Sequence, residues 1–321
     1  MSVATSKLDA VDMRCPSCES ADFADELRKE SDSRGEGAVE LVRCRSCRLV
    51  YLRKRNDEFA PELYSYYGER IGLTREQVYN PITESRYLGL LQKFGDMLQR
   101  QGLDKSVLDV GCGAGHFVDV AKRGGWNALG IELSEHAVTL GDSLDAPVKR
   151  MDVFSEEIAE SSSSLVTLFE LIEHVPHPQQ ILQRAADILV SGGFLYLTTP
   201  NFNSLDRRLE GSDWHAIHRE HLIYFDVASM TQMLSNVKTL KLIYVKTRNF
   251  TPSSLRRLYP SRLKQRNKID NMQGGAAAGG CQLRERIEQN ALLGVSKSVI
   301  NGALNFSGMG NSMYVLLQKS C

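Results

Sequence analysis

The chain of 321 residues has no net charge, since 39 lysines and arginines face 39 aspartates and glutamates. That balance excludes a chain-wide attraction for nucleic acid or anionic lipid and leaves such binding to local patches. No apolar run approaches the roughly 18–20 residues that cross a bilayer. The opening stretch MSVATSKLDAVDM lacks the apolar centre of a secretory signal. A soluble, cytoplasmic protein with no membrane partner is therefore expected. An even set of cysteines is also missing. They stand at 15, 18, 44, 47, 112, 281 and 321, and an odd total in a reducing compartment argues against a disulfide framework. The remaining composition, 42% hydrophobic and 24% charged, is that of a globular protein. The length suits one large α/β domain with appendages, or two domains.

Four of the cysteines form two pairs of equal inner spacing, Cys15-Pro-Ser-Cys18 and Cys44-Arg-Ser-Cys47. A tight knuckle at each pair points both sulfurs at one ion, and two knuckles complete a tetrahedral S4 site suited to Zn²⁺. Four protein ligands leave no open position, so the expected zinc is structural. Residues 1–56 are read as a zinc ribbon, a small module without an apolar core of its own and dependent on that staple. Arg43, Arg45, Arg48, Arg53, Lys54 and Arg55 form a basic stretch around the second knuckle. It either touches RNA or phosphate, or is a solvated face balanced by Asp22, Asp25, Glu26, Glu30 and Asp32. The aromatic run Phe59 to Tyr67 is expected to pack the ribbon on the next domain or to wall a pocket.

From Tyr79 to Arg100 the apolar residues Tyr87, Leu90, Leu91, Phe94 and Leu98 recur on one helical face, giving a helical connector over 57–100. Beyond it, strands and helices alternate. Strands are expected at 106–110, 128–133, 147–151, 165–169 and 193–199, the last after a turn at Ser191-Gly192-Gly193. Helices fall near 114–124, 134–143 and 178–190. Such alternation predicts a parallel sheet with ligands at the carboxyl ends of its strands. The first strand runs into Asp109-Val-Gly111-Cys-Gly113-Ala-Gly115. Glycines there let backbone approach a ligand closely, and the helix that follows offers unpaired N–H groups. Glu132, ending the second strand, is placed to accept ribose hydroxyls. Asp152, after the third, is placed to receive an adenine amine. A glycine turn alone also fits a nicotinamide dinucleotide, but no dehydrogenase residue set accompanies it.

The run VLDVGCGAG at 107–115, with Glu132 and Asp152 in order behind it, resembles the class I S-adenosylmethionine-dependent methyltransferases. The resemblance covers roughly residues 80–250 and the C-terminal strand. It implies a Rossmann-like seven-stranded sheet over 101–321, with 240–246 and 312–319 as its antiparallel final pair. It also implies S-adenosylmethionine bound by Asp109, Gly111, Gly113, Glu132, Asp152 and Glu170. The Cys-x-x-Cys ribbon followed by Tyr66-Tyr67-Gly68 is similar to a bacterial subgroup associated with glycan and secondary-metabolite modification.

The fourth strand ends in Glu170-Leu-Ile-Glu173-His174, at the edge where the reactive methyl belongs. This spacing resembles a divalent-metal motif of two branches of the family, the ubiquinone-pathway O-methyltransferases and the small-RNA 2′-O-methyltransferases. His221, in His221-x-x-x-Phe225, resembles the later histidine that completes such a site. Glu170, Glu173, His174 and His221 are thus candidate ligands for Mg²⁺ or Mn²⁺. Two carboxylates so close repel unless a cation or a proton intervenes. Alternatively His221 or His174, supported by Glu173, is a metal-free general base, or the cluster is structural. The segment 251–311 separates the last two strands as an insertion, expected to be partly mobile. It carries a basic cluster at 256–268 and a glycine-alanine tract at 274–280, and either holds an anionic group or is a solvated loop. The function these features favour is O-methylation of a sugar, glycan or other small hydroxylated metabolite. RNA methylation through the ribbon and the basic insertion is the alternative, and a non-catalytic binding module is a third.

Overall fold

The computed structural model describes residues 14–31, 38–53, 81–251, 254 and 291–320, with backbone alone over 291–298. The aromatic run 59–67, Lys54, Arg55, the basic cluster 256–268, the tract 274–280, Cys281 and Cys321 lie outside them. Among the described residues, no helix is long and apolar enough to cross a membrane.

Three antiparallel strands come first: β1 Phe23–Lys29, β2 Val39–Cys44 and β3 Val50–Leu52. Helix α1, Pro81–Arg100, buries Leu91, Phe94 and Leu98, the three- and four-residue spacing that puts them on one face. Then strands and helices alternate: β4 Ser106–Val110, α2 His116–Arg123, β5 Asn127–Glu132, α3 Glu135–Ser143, β6 Val148–Arg150, β7 Ser163–Phe169, α4 Pro178–Ile188 and β8 Leu189–Pro200. All five residues of β4 are buried, as expected of a strand covered by helices on both faces. The segment after β8 holds α5 Leu205–Glu210, β9 Ile223–Tyr224 and α6 Val227–Leu234. The chain ends with β10 Leu240–Arg248, α7 Ala291–Ser307 and β11 Ser312–Lys319.

The main sheet has seven strands in the order β10-β11-β8-β7-β4-β5-β6. Strands β6, β5, β4, β7 and β8 run parallel, while β11 is antiparallel to both β8 and β10. The expected α/β fold with an antiparallel final pair is therefore present. The order in which strands are laid across the sheet reverses between β4 and β7, which opens a crevice beyond the carboxyl ends of those strands. The expected turn at Ser191-Gly192-Gly193 lies within β8 as a bulge, where the β7–β8 register shifts between Ser163 and Leu165. A Cβ on Gly193 would sit 2.9 Å from the Ser164 carbonyl, so the chain passes there without a side chain.

One expectation needs correction. The sequence predicts a ribbon without an apolar core of its own, but Val39, Leu41, Val42, Leu49, Val50 and Tyr51 are all buried in one cluster with the main sheet's residues. The cause is a second sheet, ordered β1-β2-β3-β9, in which the ribbon's third strand pairs with a strand from the far side of the sequence. Val50 sits opposite Tyr224 and Tyr51 opposite Ile223, and Leu52 N–H donates to Leu222 O at 2.9 Å. Of the insertion expected at 251–311, residues 252, 253 and 255–290 lie outside the described residues. Its last part is α7, tied to β10 by Asn305 Oδ1 accepting from Thr247 N–H and Asn301 Oδ1 from Asn249 N–H.

Candidate active site

The glycine turn after β4 sits at the mouth of the crevice. Gly111, Gly113 and Gly115 all have positive φ, the left-handed region that only glycine enters without strain. At Gly115 a Cβ would lie 2.3 Å from Val148 Cγ2, so the helix can start there only if the residue has no side chain. At Gly113 a Cβ would meet nothing within 4 Å, because the residue faces an open cavity. That cavity encloses about 530 Å³, and its wall includes Asp109, Gly111, Gly113, Glu132, Asp152 and Glu170. All six residues expected to bind cofactor thus line one space, which fits a small ligand.

The carboxylate of Glu132 is oriented by backbone. It accepts from Gly113 N–H at 3.0 Å, Leu133 N–H at 2.7 Å and Ser134 N–H at 2.9 Å. These bonds lock the glycine turn to the end of β5. Asp152 Oδ1 accepts from Phe154 N–H at 2.8 Å, which fixes the turn after β6. Asp109 is 2% exposed, and its Oδ1 accepts from Thr167 Oγ1–H on the neighbouring strand at 2.7 Å. Burial pushes its carboxyl up to about 7; Thr167 opposes the rise and the charge of Glu132 adds to it.

A second group lies beside this cavity. Ligand atoms of Glu173, His174 and His221 lie within 4.8 Å of one another. Glu173 is fully enclosed. Its Oε2 accepts from Thr199 Oγ1–H at 2.9 Å, while Oε1 has no hydrogen-bond partner among the described residues and lies 3.9 Å from His221 Nε2. Burial, then the charge of Glu170, raises this carboxyl well above the usual range. His174 Nδ1 lies 2.9 Å from Glu220 O, and His221 Nδ1 lies 2.8 Å from Ala216 O. A carbonyl can only accept, so both Nδ1 atoms carry protons and both Nε2 atoms present lone pairs in the neutral rings. An orphaned buried carboxylate oxygen facing imidazole lone pairs is the chemistry of a cation site. A divalent ion fits this donor set.

Glu170 does not belong to that group. It was expected as a fourth ligand, but it stands at the end of β7 with a left-handed φ of 48° and its side chain opens onto the cavity. Its N–H donates to Thr198 O, and burial raises its carboxyl above the ordinary range, opposed by hydrogen bonding to Thr198. His174 lies on the cavity wall; Glu173 and His221 lie behind it. Sequence reasoning missed His218, whose ring centroid is 3.8 Å from that of His221. The spacing His218-x-x-His221 was the available signal. It also missed Thr167 and Thr199, whose hydroxyls sit under the two buried carboxyls; threonines in strands carry no mark of that role. His116 and His177 line the cavity, His177 at the start of α4.

The four ribbon cysteines converge, with all four sulfurs within 4.8 Å of one another. Cys15 and Cys47 Sγ are 3.4 Å apart, Cys18 and Cys44 Sγ 3.5 Å. Tetrahedral zinc with Zn–S of about 2.3 Å requires sulfurs about 3.8 Å apart. The spacing fits zinc after slight expansion. Burial and neighbouring thiols raise Cys18 to about 11, while hydrogen bonding from Cys15 pulls Cys47 down to about 5. Thiols this close cannot all ionise without a cation.

Residues 81–237 match the family described as "Methyltransferase domain". That segment contains the glycine turn, Glu132, Asp152 and the Glu173–His221 group. Among curated proteins, the chain is 34% identical over 133 residues to the ubiquinone biosynthesis O-methyltransferase of Hydrogenovibrio crunogenus, covering 37% of this chain and 55% of that one. It is 36% identical over 106 residues to the protein of the same name from Cupriavidus pinatubonensis, covering 31% and 43%. The chain thus spans about half the length of the curated relatives it matches. A solved structure of the plantazolicin methyltransferase BpumL with SAH and a desmethyl analogue is 15% identical, with a TM-score of 0.49 over 81% of this chain and 97% of that one. A SAM-dependent methyltransferase from Archaeoglobus fulgidus is 13% identical, with a TM-score of 0.47 over 80% and 99%.

Proposed function

We propose that this chain is an S-adenosylmethionine-dependent O-methyltransferase acting on a small hydroxylated molecule, and that Cys15, Cys18, Cys44 and Cys47 hold one structural zinc. The observation that carries the reading is the single cavity lined by the glycine turn, two strand-end acids, Glu170 and His174. The relatives named ubiquinone biosynthesis O-methyltransferase support O-methylation of a small molecule. A sugar is retained within that class.

S-adenosylmethionine, when bound, supplies an electrophilic methyl on a sulfonium. The protein's part is positioning. Glu132 would take ribose hydroxyls, Asp152 the adenine amine, and the Gly111–Gly113 backbone the chain that carries the sulfonium. Glu170, at the cavity wall, would face the positive end of the cofactor. Glu173, His174 and His221 would hold a divalent cation, whose charge lowers the pKa of a nearby hydroxyl. Without a cation, His174 would take the acceptor's proton, because His174 is on the cavity wall and His221 is not.

The test is methyl transfer from labelled S-adenosylmethionine to separate pools of phenols, sugars, lipids and RNA. Label is expected in phenols or sugars. Failure to bind S-adenosylmethionine, or label confined to nitrogen or carbon of the acceptor, overturns the reading.

A further inference from the structure

A second cleft, of about 320 Å³, lies between the ribbon and the loop after β8, and shares no lining residue with the cofactor cavity. Arg43 and Arg48 come from the ribbon; Phe202, Asn203, Arg207 and Arg208 come from the methyltransferase domain; Asp226 closes one side. The sequence alone left the ribbon's basic stretch as either a balanced face or a phosphate contact. The structure divides it. Arg45 pairs with Asp22, Arg53 with Asp25 and Glu40, and Arg43 makes a two-pronged bond to Glu26 at 2.8 and 2.9 Å. Among the described residues no carboxylate pairs with Arg48, which turns into the cleft instead.

The other side of the cleft is also short of anions. Arg208 is bonded to the neutral Asn203 Oδ1 at 2.7 Å. Arg207 stacks over the Phe202 ring at 4.3 Å and reaches Glu26 Oε1 only at 3.4 Å, while its buried Nε has no hydrogen-bond partner among the described residues. Asp226 is occupied in capping α6, where Oδ1 accepts from Ser229 N–H and Oγ–H. Four guanidinium groups thus face the two carboxylates of Glu26 and Asp226. Burial lowers the Arg207 pKa, and Arg43 and Arg208 lower it further. Like charges held together in a concave space, with N–H groups left over, are arranged for an anion they can fork onto. Phosphate fits that geometry better than a single point charge does.

We propose that this cleft is a binding site for the phosphoryl group of a small phosphorylated molecule, with Arg48, Arg207 and Arg208 as its donors. Its position gives that ligand a route to matter. The Phe202 ring is 5.6 Å from the Tyr224 ring, which is 6.0 Å from His221. A phosphate anchored there lies two ring contacts from the histidine group, so binding bears on the site proposed for methyl transfer without being part of it.

The experiment uses the full-length, zinc-loaded chain. Pyrophosphate and inorganic phosphate are titrated by calorimetry into the wild type and into Arg48→Gln/Arg208→Gln. S-adenosylmethionine affinity is measured on both as the control for folding. The expected result is one pyrophosphate per chain, bound more tightly than phosphate, weakened steeply by salt, and at least tenfold weaker in the double variant at unchanged S-adenosylmethionine affinity. Comparing pyrophosphate with nucleoside diphosphates and sugar phosphates then separates a site for the bare anion from one that reads the attached group. No pyrophosphate binding, or binding that the double variant leaves intact, overturns the proposal. Tight binding of short RNA with none of pyrophosphate also overturns it, in favour of a nucleic-acid surface. Pyrophosphate binding in a protein that methylates nothing leaves the cleft standing and counts against the proposed function alone.

Discussion

Replacing Asp109 with asparagine should make the protein more stable, and by an amount that depends on pH. Asp109 is 2% exposed near the carboxyl end of β4, and its carboxyl is raised from 3.8 to about 7 by burial, with a smaller rise from Glu132. A carboxyl whose folded pKa lies above its unfolded one favours the folded state fully only below the unfolded value, where both states are protonated. As pH rises past 3.8 the unfolded chain sheds its proton first, and stability falls until the folded group titrates near 7. A gap of about three units corresponds to roughly 4 kcal/mol lost above pH 7, of which about 1.5–2 kcal/mol is already lost at pH 5. Asparagine keeps the volume, remains neutral, and still offers Oδ1 to the Thr167 hydroxyl. Asp109→Asn should therefore match the wild type near pH 3.5 and gain on it by about 2 kcal/mol between pH 5 and 8.5. Trp126 and Trp214 are both buried, so their fluorescence reports urea denaturation at each pH. A variant less stable than wild type at pH 8.5, or a difference that does not change with pH, would refute the reasoning. The companion readout is ligand binding. An acid kept at such a cost beside the cavity should matter to the cofactor, so the more stable variant should bind S-adenosylmethionine more weakly.

Glu132→Ala removes the carboxylate that three backbone N–H groups and the expected ribose share, so S-adenosylmethionine should bind about 10- to 150-fold more weakly, from ~1.5–3 kcal/mol for a charge-assisted bond. Calorimetry showing unchanged affinity would reject the assignment. Elemental analysis of protein prepared without chelator should find one zinc per chain, and Cys15→Ser should contain none; a zinc-free wild type sinks the ribbon as a metal site. Turnover should stop in a mild chelator that leaves the ribbon zinc in place and return with Mg²⁺ or Mn²⁺, while Glu173→Gln should stay inactive after metal is restored. Full activity in chelator together with an inactive His174→Ala would instead leave His174 as a metal-free base.

The sheet was legible because its strands are short apolar runs punctuated by glycine, and because Asp109, Glu132 and Asp152 fall where those runs end. Local pattern and global fold agree there, so each strand could be read alone. The two ends of the four-thiol site were legible from spacing. Strand β9 was not. Two residues in a histidine-rich loop have no period, and they become a strand only because the edge of β3 is opposite them. Helix α7 was hidden for another reason. Its exposed Val299, Ile300 and Phe306 give no clean polar face, so 291–307 reads as an indistinct apolar stretch beside a glycine-rich tract. The grouping of Glu173 with His221 was legible by resemblance. That Glu170 stands apart from them was not, because it depends on a single left-handed residue at the end of β7.

The pairing of β3 with β9 changes what the ribbon is for. A closed four-thiol site has no open coordination position and can do no chemistry itself. Yet the strand it supports continues into the histidine group. Leu222 N–H and Ile223 N–H both donate to the carbonyl of Glu173, at 2.9 and 3.1 Å, and Tyr224 O–H donates to the carbonyl of His218 at 3.0 Å. The segment that carries His218 and His221 is therefore held between β3 on one side and the Glu173 backbone on the other. A second tie runs from Gln179 Nε2–H, near the start of α4, to the Ser17 carbonyl within the first knuckle. A two-residue strand cannot order itself, so its geometry comes from the neighbours it bonds. Order in the Cys44–Leu52 hairpin thus sets where Glu173 Oε1 and His221 Nε2 meet. A module that looks detachable in sequence is in this way part of the support for the Glu173–His221 group.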